Sequence, residues 1–364
     1  MSDGDTTGVG VGDTIGVEEE FHVVNGDTGN LEPAARRVLR RADAEPELHR
    51  SMVETASAVQ TDLTALRADL LEKRRSLVDA AGHHGLAIVA AGTVPGSGST
   101  PSRVYPNERY ERMAQEYRQL VDEQQVAACQ VQVGVPDKDL AVRITRRIRE
   151  WLPTLLALSV SSPYFAGQDT GYASYRTIVT SRWPTVGPPP DLDSAAQYDR
   201  VVETLVESGV ISDAGMVYFD ARPSARYPTV EVRVADSCPD LDDVILLASL
   251  ARGLVTIAAE EDAAGRPLPE APQVLLRAAT WRAARSGLGG HLVDPSTRSA
   301  VPAGVRIDAL MHHVRPALEA RDEWDTALDL LAALRARGTS AHRQRKQESH
   351  REVALALAAE TAKG

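Results

Sequence analysis

The stretch Gly16-Val-Glu-Glu-Glu-Phe21 sets three consecutive carboxylates inside a run that reads as a β-strand and continues into His22-Val23-Val24. Side chains alternate across a strand, so Glu18 and Glu20 share one face while Glu19 points the other way with Val17 and Phe21. Two carboxylates on one face repel each other unless a cation or a guanidinium lies between them. A solvated strand face is one reading of the pair, and a site for divalent cations is the other. Only the remaining strands can separate the two.

Thr229-Val-Glu-Val-Arg-Val-Ala235 alternates strictly, with Val230, Val232 and Val234 on an apolar face and Thr229, Glu231 and Arg233 opposite. Taken alone, it is equally a half-exposed strand carrying an i, i+2 ion pair. Cys129-Gln-Val-Gln-Val-Gly134 repeats the pattern with Gln130 and Gln132 facing together, and Glu54 sits in a weaker strand segment over 51–61. Strands of this kind, placed side by side, make a sheet with one aliphatic face and one face lined by acids and amides. Hard oxygen donors in that number suit Mg²⁺, which bridges protein carboxylates and substrate phosphates.

The rest of the chain supplies cover for such a sheet. Leu63, Leu66, Leu70, Leu71, Leu77 and Val78 recur at helical spacing up to about His83. Residues 86–91 read as a short apolar strand before a Gly/Pro/Ser loop over 92–102. Met113, Tyr117, Leu120 and Val121 mark a further helix, and Leu140, Ile144, Ile148, Trp151, Leu155 and Leu158 another. Residues 216–219 read as a strand, with ARPSARYP as its connection to the strand at 229–235. From about residue 240 the pattern is almost wholly helical. Strands gathered in the first two thirds, with helices interleaved and then dominant, predict an α+β fold with an antiparallel sheet covered by helices. A single domain is expected over 13–364, preceded by a Gly- and Asp-rich flexible tail over 1–12.

Composition narrows the function. The 364 residues carry a formal net charge of −11, which argues against a nucleic-acid surface as the main partner. Two cysteines, Cys129 and Cys238, make neither a disulfide framework nor a zinc motif, and a reducing cytoplasm is the expected location. No apolar run reaches the roughly 18 residues of a membrane span, and no membrane partner is expected. Gly96-Ser-Gly98 lacks the lysine of a P-loop, and Ser159, Ser161 and Ser162 lack a G-x-S-x-G elbow.

The motifs GVEEEF, SMVETAS, QVQVGVPD, LPTLLALSVSSPYFAGQDTGYASYR, DARPSARYPTVEVRVAD and GTSAHRQR occur in the order seen in one family. On these the chain resembles the carboxylate-amine ligases, also called glutamate–cysteine ligase type 2 or the YbdK-like group, over about residues 14–360. The resemblance implies a sheet funnel similar to the catalytic domain of glutamine synthetase, holding ATP and Mg²⁺. It implies ATP-dependent amide formation through an acyl phosphate, with a γ-glutamyl product as the default. Its partners would be small molecules, an amino-acid carboxylate and an amine, and the family implies a homodimer.

Carried over residue by residue, Glu18, Glu20, Glu54 and Glu231 resemble metal ligands, and Glu231, Arg233 and Arg176 resemble the catalytic set. Arg233 would contact phosphate or acyl phosphate. Arg222, Gln130 and Gln132 would bind substrate or nucleotide, with Arg343 and Arg345 as further candidates for the nucleotide region and Glu47 as an additional acid. For Arg176 and Arg222 a structural salt bridge is the competing reading. Family members usually carry H-V-H-V-G where this chain has Gln130-Val-Gln132-Val-Gly134, and G-T-H-P where it has Gly92-Thr-Val94-Pro95. A glutamine carbonyl can ligate Mg²⁺, but it carries no proton or charge near neutral pH. The departures therefore imply altered substrate choice, with a catalytically degraded paralogue that binds nucleotide or amino acid as the alternative. A metal-dependent amide hydrolase is a third reading.

Overall fold

The computed structural model describes residues 10–98, 103–268 and 270–364. Seven strands form the main sheet: β1 (Ile15–Asn25), β2 (Glu45–Pro46), β3 (Met52–Ala56), β4 (Leu86–Val89), β5 (Ala128–Gly134), β6 (Ala221–Pro223) and β7 (Thr229–Asp236). They lie in the order β2-β3-β1-β5-β7-β6, with β4 also pairing β1. Every pairing is antiparallel. Strand β1 is long enough to meet β5 through Ile15–Glu19, β3 through Glu18–His22 and β4 through His22–Asn25. The flexible tail expected over 1–12 lies outside the described residues up to residue 9. Beyond it, Gly12 N donates to Gly134 O at 2.9 Å.

The alternating aliphatics build one face of this sheet. Val17, Val131, Val133, Val230, Val232 and Val234 are all buried in the largest core cluster. They meet helices α1 (Leu63–Gly82), α2 (Lys138–Ile148), α3 (Leu152–Ser159) and α4 (Leu241–Ala263), which supply Leu66, Leu70, Ile144, Leu155, Leu247 and Leu250 to the same cluster. Burying a Val or Leu side chain contributes about 1.5–3 kcal/mol, so this face anchors the register of every strand that carries it. Three of these helices start at an aspartate whose side chain accepts a backbone N–H of the first turn: Asp62 from Ala65, Asp137 from Leu140 and Asp240 from Asp242. The helical run expected from Leu140 to Leu158 is broken in two between Ile148 and Leu152, with Pro153 in the first turn of α3, where its missing N–H costs nothing.

Glu19 lies on this apolar side, and its charge is answered there. Its carboxylate accepts Arg74 Nε at 3.1 Å and Arg74 Nη2 at 2.6 Å, while Arg74 also donates to Cys238 O and Pro239 O, both at 2.7 Å. Both side chains are fully buried.

Two expectations differ from the structure. Residues 214–216 form a 3₁₀ turn, and the strand begins at Ala221, inside the segment expected to be a connection. Ala221, Arg222 and Pro223 pair with Val232, Glu231 and Val230. Because β6 is the last strand in the order, Pro223 sits at a sheet edge, where a missing donor is tolerated. Beyond residue 240 a hairpin of His291–Asp294 and Ser299–Pro302 interrupts the helices. No described helix is long and apolar enough to cross a membrane.

Candidate active site

The second face of the sheet carries the polar half of each alternation. Glu54 stands directly opposite Glu20, and Glu18 lies one pleat further along β1, opposite Ala56. On the other side of β1, Gln130 Nε2 donates to Glu20 Oε1 at 3.0 Å and Ala128 N to Glu20 Oε2 at 2.8 Å. Gln132 Nε2 donates to Glu18 Oε1 at 3.2 Å. The carbonyl ends of the two amides face β7: Thr229 Oγ1 donates to Gln132 Oε1 at 2.5 Å, and the Arg233 guanidinium donates to Gln130 Oε1. Each glutamine thus links a carboxylate on β1 to a donor on β7, a task that needs one donating and one accepting end.

Glu231 lies opposite Gln132 on one side and Arg222 on the other. It accepts Arg222 Nε at 2.9 Å and the Arg233 guanidinium. The β5–β7 ladder shifts register between Cys129 and Val131, where Arg233 and Val234 together oppose the single residue Gln130. An extra residue of this kind bends the strand and re-aims its side chain. Here it turns Arg233 toward the acids and the cavity beside them.

The charges are unequal in their compensation. Burial pushes the Glu20 carboxyl up from its usual range, and burial followed by repulsion from Glu47, Glu20 and Glu18 pushes Glu54 well up. Burial and the charge of Glu231 raise Glu18, and burial and Glu20 push Glu47 up to about 7. Glu231 goes the other way: burial acts to raise it, but Arg233 and Arg222 outweigh burial and hold it below the usual value. The patch Glu18–Glu20–Glu54–Glu47 is therefore short of positive charge, whereas Glu231 already has two guanidiniums.

A cavity of about 410 Å³ opens beside this patch. Glu20, Glu47 and Arg233 are among its lining residues, and Trp183, Val186, Tyr218 and Met113 supply apolar wall. Arg176 also lines it, although its guanidinium is held by Val234 O at 3.2 Å, Arg233 O at 3.1 Å and Asp236 Oδ1 at 3.5 Å. Asp236 is itself fixed by Ser161 N at 2.8 Å, Ser162 Oγ at 2.7 Å and Ser174 Oγ at 2.8 Å, which absorbs the serine-rich segment into the support of the C-terminal end of β7.

A model described as "Glutamate-cysteine ligase family 2(GCS2)" matches residues 14–358. The chain belongs to glutamate–cysteine ligase family 2. Its curated relatives include a Frankia alni protein at 48% identity over 95% of this chain, and a Mycolicibacterium smegmatis protein at 45% over 96%, both with names of the form "Putative glutamate--cysteine ligase 2". This chain spans 41% of the Frankia relative's length and 90% of the Mycolicibacterium one's. Among solved structures, a Francisella tularensis glutamate–cysteine ligase in complex with AMP matches with a TM-score of 0.72 at 12% identity, over 97% of this chain and 89% of that one. A bifunctional glutathione synthetase from Pasteurella multocida matches with a TM-score of 0.68 at 15% identity, over 96% of this chain and 52% of that one. These two establish the fold.

Within this member of the family, Glu18, Glu20, Glu54, Gln130, Gln132, Glu231, Arg233 and Arg222 share one sheet face. Arg222 is fully engaged there, since it also donates to Gly215 O at 3.1 Å and to Val217 O. Arg343 and Arg345 stand elsewhere. Arg343 is held by Gly338 O and Glu360, and Arg345 by Asp169 at 2.9 and 2.6 Å and Tyr172 O at 2.8 Å. Val94, where the family usually has histidine, is buried among Val24, Val89 and Val353, an aliphatic site with no use for an imidazole.

Among the described residues, no group of three or more His, Cys, Asp or Glu side chains is placed to hold a metal by itself. The donor set still fits Mg²⁺: its oxygens are hard, its charge is under-compensated, and Mg²⁺ typically takes only one or two protein carboxylates beside waters and substrate phosphates. Sequence reasoning did not single out Arg109, Tyr110, Tyr218, Asp220 or Arg277, all of which line the cavity. Their signal was weak, because none sits in an alternating strand; only Asp220, two residues before Arg222, could have been found by strand parity.

Proposed function

We propose that this chain is an ATP- and Mg²⁺-dependent ligase that activates an amino-acid side-chain carboxylate, by default the γ-carboxylate of glutamate, as an acyl phosphate and joins it to an amine. The observation that carries this reading is the row Glu54–Glu20–Gln130–Arg233, which places under-compensated acids and an aimed guanidinium on one buried sheet face beside a cavity. Glu20 and Glu54, with Glu18, would hold Mg²⁺, which supplies charge neutralisation of the triphosphate. Arg233 would meet the transferring phosphoryl group, where negative charge spreads in the transition state. Burial works against the charged form of Arg233, but Glu231 and Glu20 outweigh it and raise its pKa, so it stays a cation throughout. Gln130 holds that cation at a fixed distance from Glu20, so the two do not collapse into an ion pair. Glu231 would act through Arg233 and Arg222, whose charges it offsets.

The test is release of ADP and phosphate from ATP with Mg²⁺ across a panel of amino-acid carboxylates and amines. Turnover is expected only with nucleotide, metal, acid and amine all present. A full panel without stimulated ADP release would remove the proposal. The amides in place of imidazoles favour one second reading, a nucleotide-binding relative without turnover. Calorimetric binding of Mg-ATP together with a silent panel would select it.

A further inference from the structure

Among the described residues, Asp220 is the one cavity-lining carboxyl that neither the acid patch nor an ion pair accounts for. It is 8% exposed, and its Oδ2 is buried without a hydrogen-bond partner. Such a group is costly to bury and is rare unless it has a use. Its backbone is fixed on both sides: Asp220 N donates to Gly187 O at 2.8 Å and Arg233 N donates to Asp220 O at 2.9 Å. The β6–β7 register, continued by one residue from Ala221 and Val232, sets Asp220 across from Arg233. Strand alternation then puts both side chains on the polar face with Arg222 and Glu231. Directly opposed residues on two strands hold their Cβ atoms about 5 Å apart. Arg233 nevertheless turns to Glu231 and Gln130, leaving Asp220 as a cavity-lining residue without an ion-pair partner.

The charged groups acting on it are Arg176 and Arg277, neither of which forms an ion pair with it. Burial pushes its pKa up to about 7 against those two guanidiniums. Trp183, Val186, Pro188 and Tyr218 line the same cavity beside these guanidiniums.

Resting on the ligase reading above, we propose that Asp220 is the general base that takes a proton from the incoming amine. An amine reaches the cavity as an ammonium ion, which has no lone pair to attack with. Asp220 as the carboxylate accepts one N–H proton and becomes the neutral acid. The freed lone pair forms the C–N bond at the acyl carbon, and the carbon–oxygen bond to phosphate breaks, with its electrons leaving on inorganic phosphate. The remaining extra proton on nitrogen passes to the departing phosphate or to water. The across-strand position suits this division of labour, with acyl phosphate at Arg233 and amine at Asp220. A base with a pKa near the working pH is the efficient one.

The experiment compares two acceptors in the full chain with Mg-ATP and L-glutamate, or with the best carboxylate of the panel above. One is the fastest amine of that panel, supplied as its ammonium form. The other is hydroxylamine, whose nitrogen is already unprotonated at neutral pH and whose product is a coloured hydroxamate. Asp220→Asn is expected to lower kcat/KM for the amine on the order of 100-fold and to leave hydroxamate formation within about threefold. Asp220→Glu is expected to recover part of the amine rate. An equal loss with both acceptors in a folded Asp220→Asn protein, or no loss with either, overturns the assignment. Should Asp220→Asn not fold, Asp220→Glu and Asp220→Ser are read by the same ratio. A wild-type chain that makes neither hydroxamate nor ADP refutes the ligase reading itself, which is a different result.

Discussion

The three glutamates of GVEEEF invite opposite outcomes from the same substitution. Glu19 and Arg74 are 0% and 1% exposed, joined by two hydrogen bonds at 2.6 and 3.1 Å. Glu19→Gln removes the charge and keeps the volume, leaving the Arg74 guanidinium with only the carbonyls of Cys238 and Pro239 as firm acceptors. Removing one partner of a buried ion pair costs about 3–5 kcal/mol, because the other charge stays buried. At roughly 2 cal/mol/K of unfolding entropy per residue, a chain of this length converts that loss into a fall in Tm of roughly 4–7 °C. Glu20→Gln should behave in reverse. Its carboxyl is raised by burial, so the folded state holds the proton more tightly than the unfolded chain does. The charged form is then a burden above the usual carboxylate range, and a neutral amide leaves stability at pH 8 unchanged or higher. Ligase turnover should nevertheless fall on the order of 100-fold or more, the scale of losing a preorganised charge. Urea melts and ADP-release rates on the two variants decide the matter. A Glu19→Gln chain as stable as wild type, or a Glu20→Gln chain destabilised as much as Glu19→Gln, would refute the division of the strand into a structural and a functional face.

Other outcomes follow from the same geometry. Glu231→Gln should abolish most turnover and also lower stability, since it strips the counter-ion from the buried Arg222 and from Arg233; a variant with wild-type rates would move the phosphoryl site away from β7. Arg345→Ala removes a surface-side pair with Asp169, so kinetic constants within about twofold and a stability change below about 1 kcal/mol are expected, and a large rise in KM for ATP would contradict the placement. Asp220 carries a folded pKa of about 7 against a usual 3.8, so its charge erodes stability as pH rises from about 4 to 7. Relative to wild type, Asp220→Asn should gain up to about 4 kcal/mol across that window and nothing below it; chemical melts at pH 4 and pH 8 that show the same difference would exclude this. Cys129 and Cys238 are buried and burial pushes both thiols up, so neither should react with iodoacetamide in the native protein, as mass spectrometry would read.

Much of this was legible before any coordinates. The alternation in residues 14–24, 129–134 and 229–235 marks three strands that appear as β1, β5 and β7, and parity put Glu18 with Glu20, Gln130 with Gln132 and Glu231 with Arg233, each pair on one side of its own strand. Parity works there because the opposite face is packed with valines, and a register slip would expose them all. It failed where no such face exists. The strand expected at 216–219 is absent: Met216 ends a 3₁₀ turn, Phe219 makes only an isolated bridge to Gly187, and Met216 and Val217 pack into a separate cluster with Trp183 and Tyr198. The strand itself lies in ARP, whose polar Arg222 gave no hydrophobic signal. Arg109 and Arg277 come to the cavity from two helices far apart in the chain, Glu108–Tyr117 and Gln273–Ser286, and Arg233 owes its aim to a one-residue bulge that no periodicity announces.

The length of the connections has a consequence for how the site comes into being. Glu20 and its Gln130 donor are 110 residues apart, and Gln130 and Arg233 a further 103. A growing chain must therefore pass residue 233 before the row Glu20–Gln130–Arg233 can close, although Glu20 can already meet Glu54 of β3. Pairings of such separation form slowly, because the closure entropy of long loops is lost before any contact repays it. Before then the acids of β1 meet only nearer partners, Arg74 answering Glu19 and Glu54 adding a further negative charge opposite Glu20, so the charge of the polar face is compensated last.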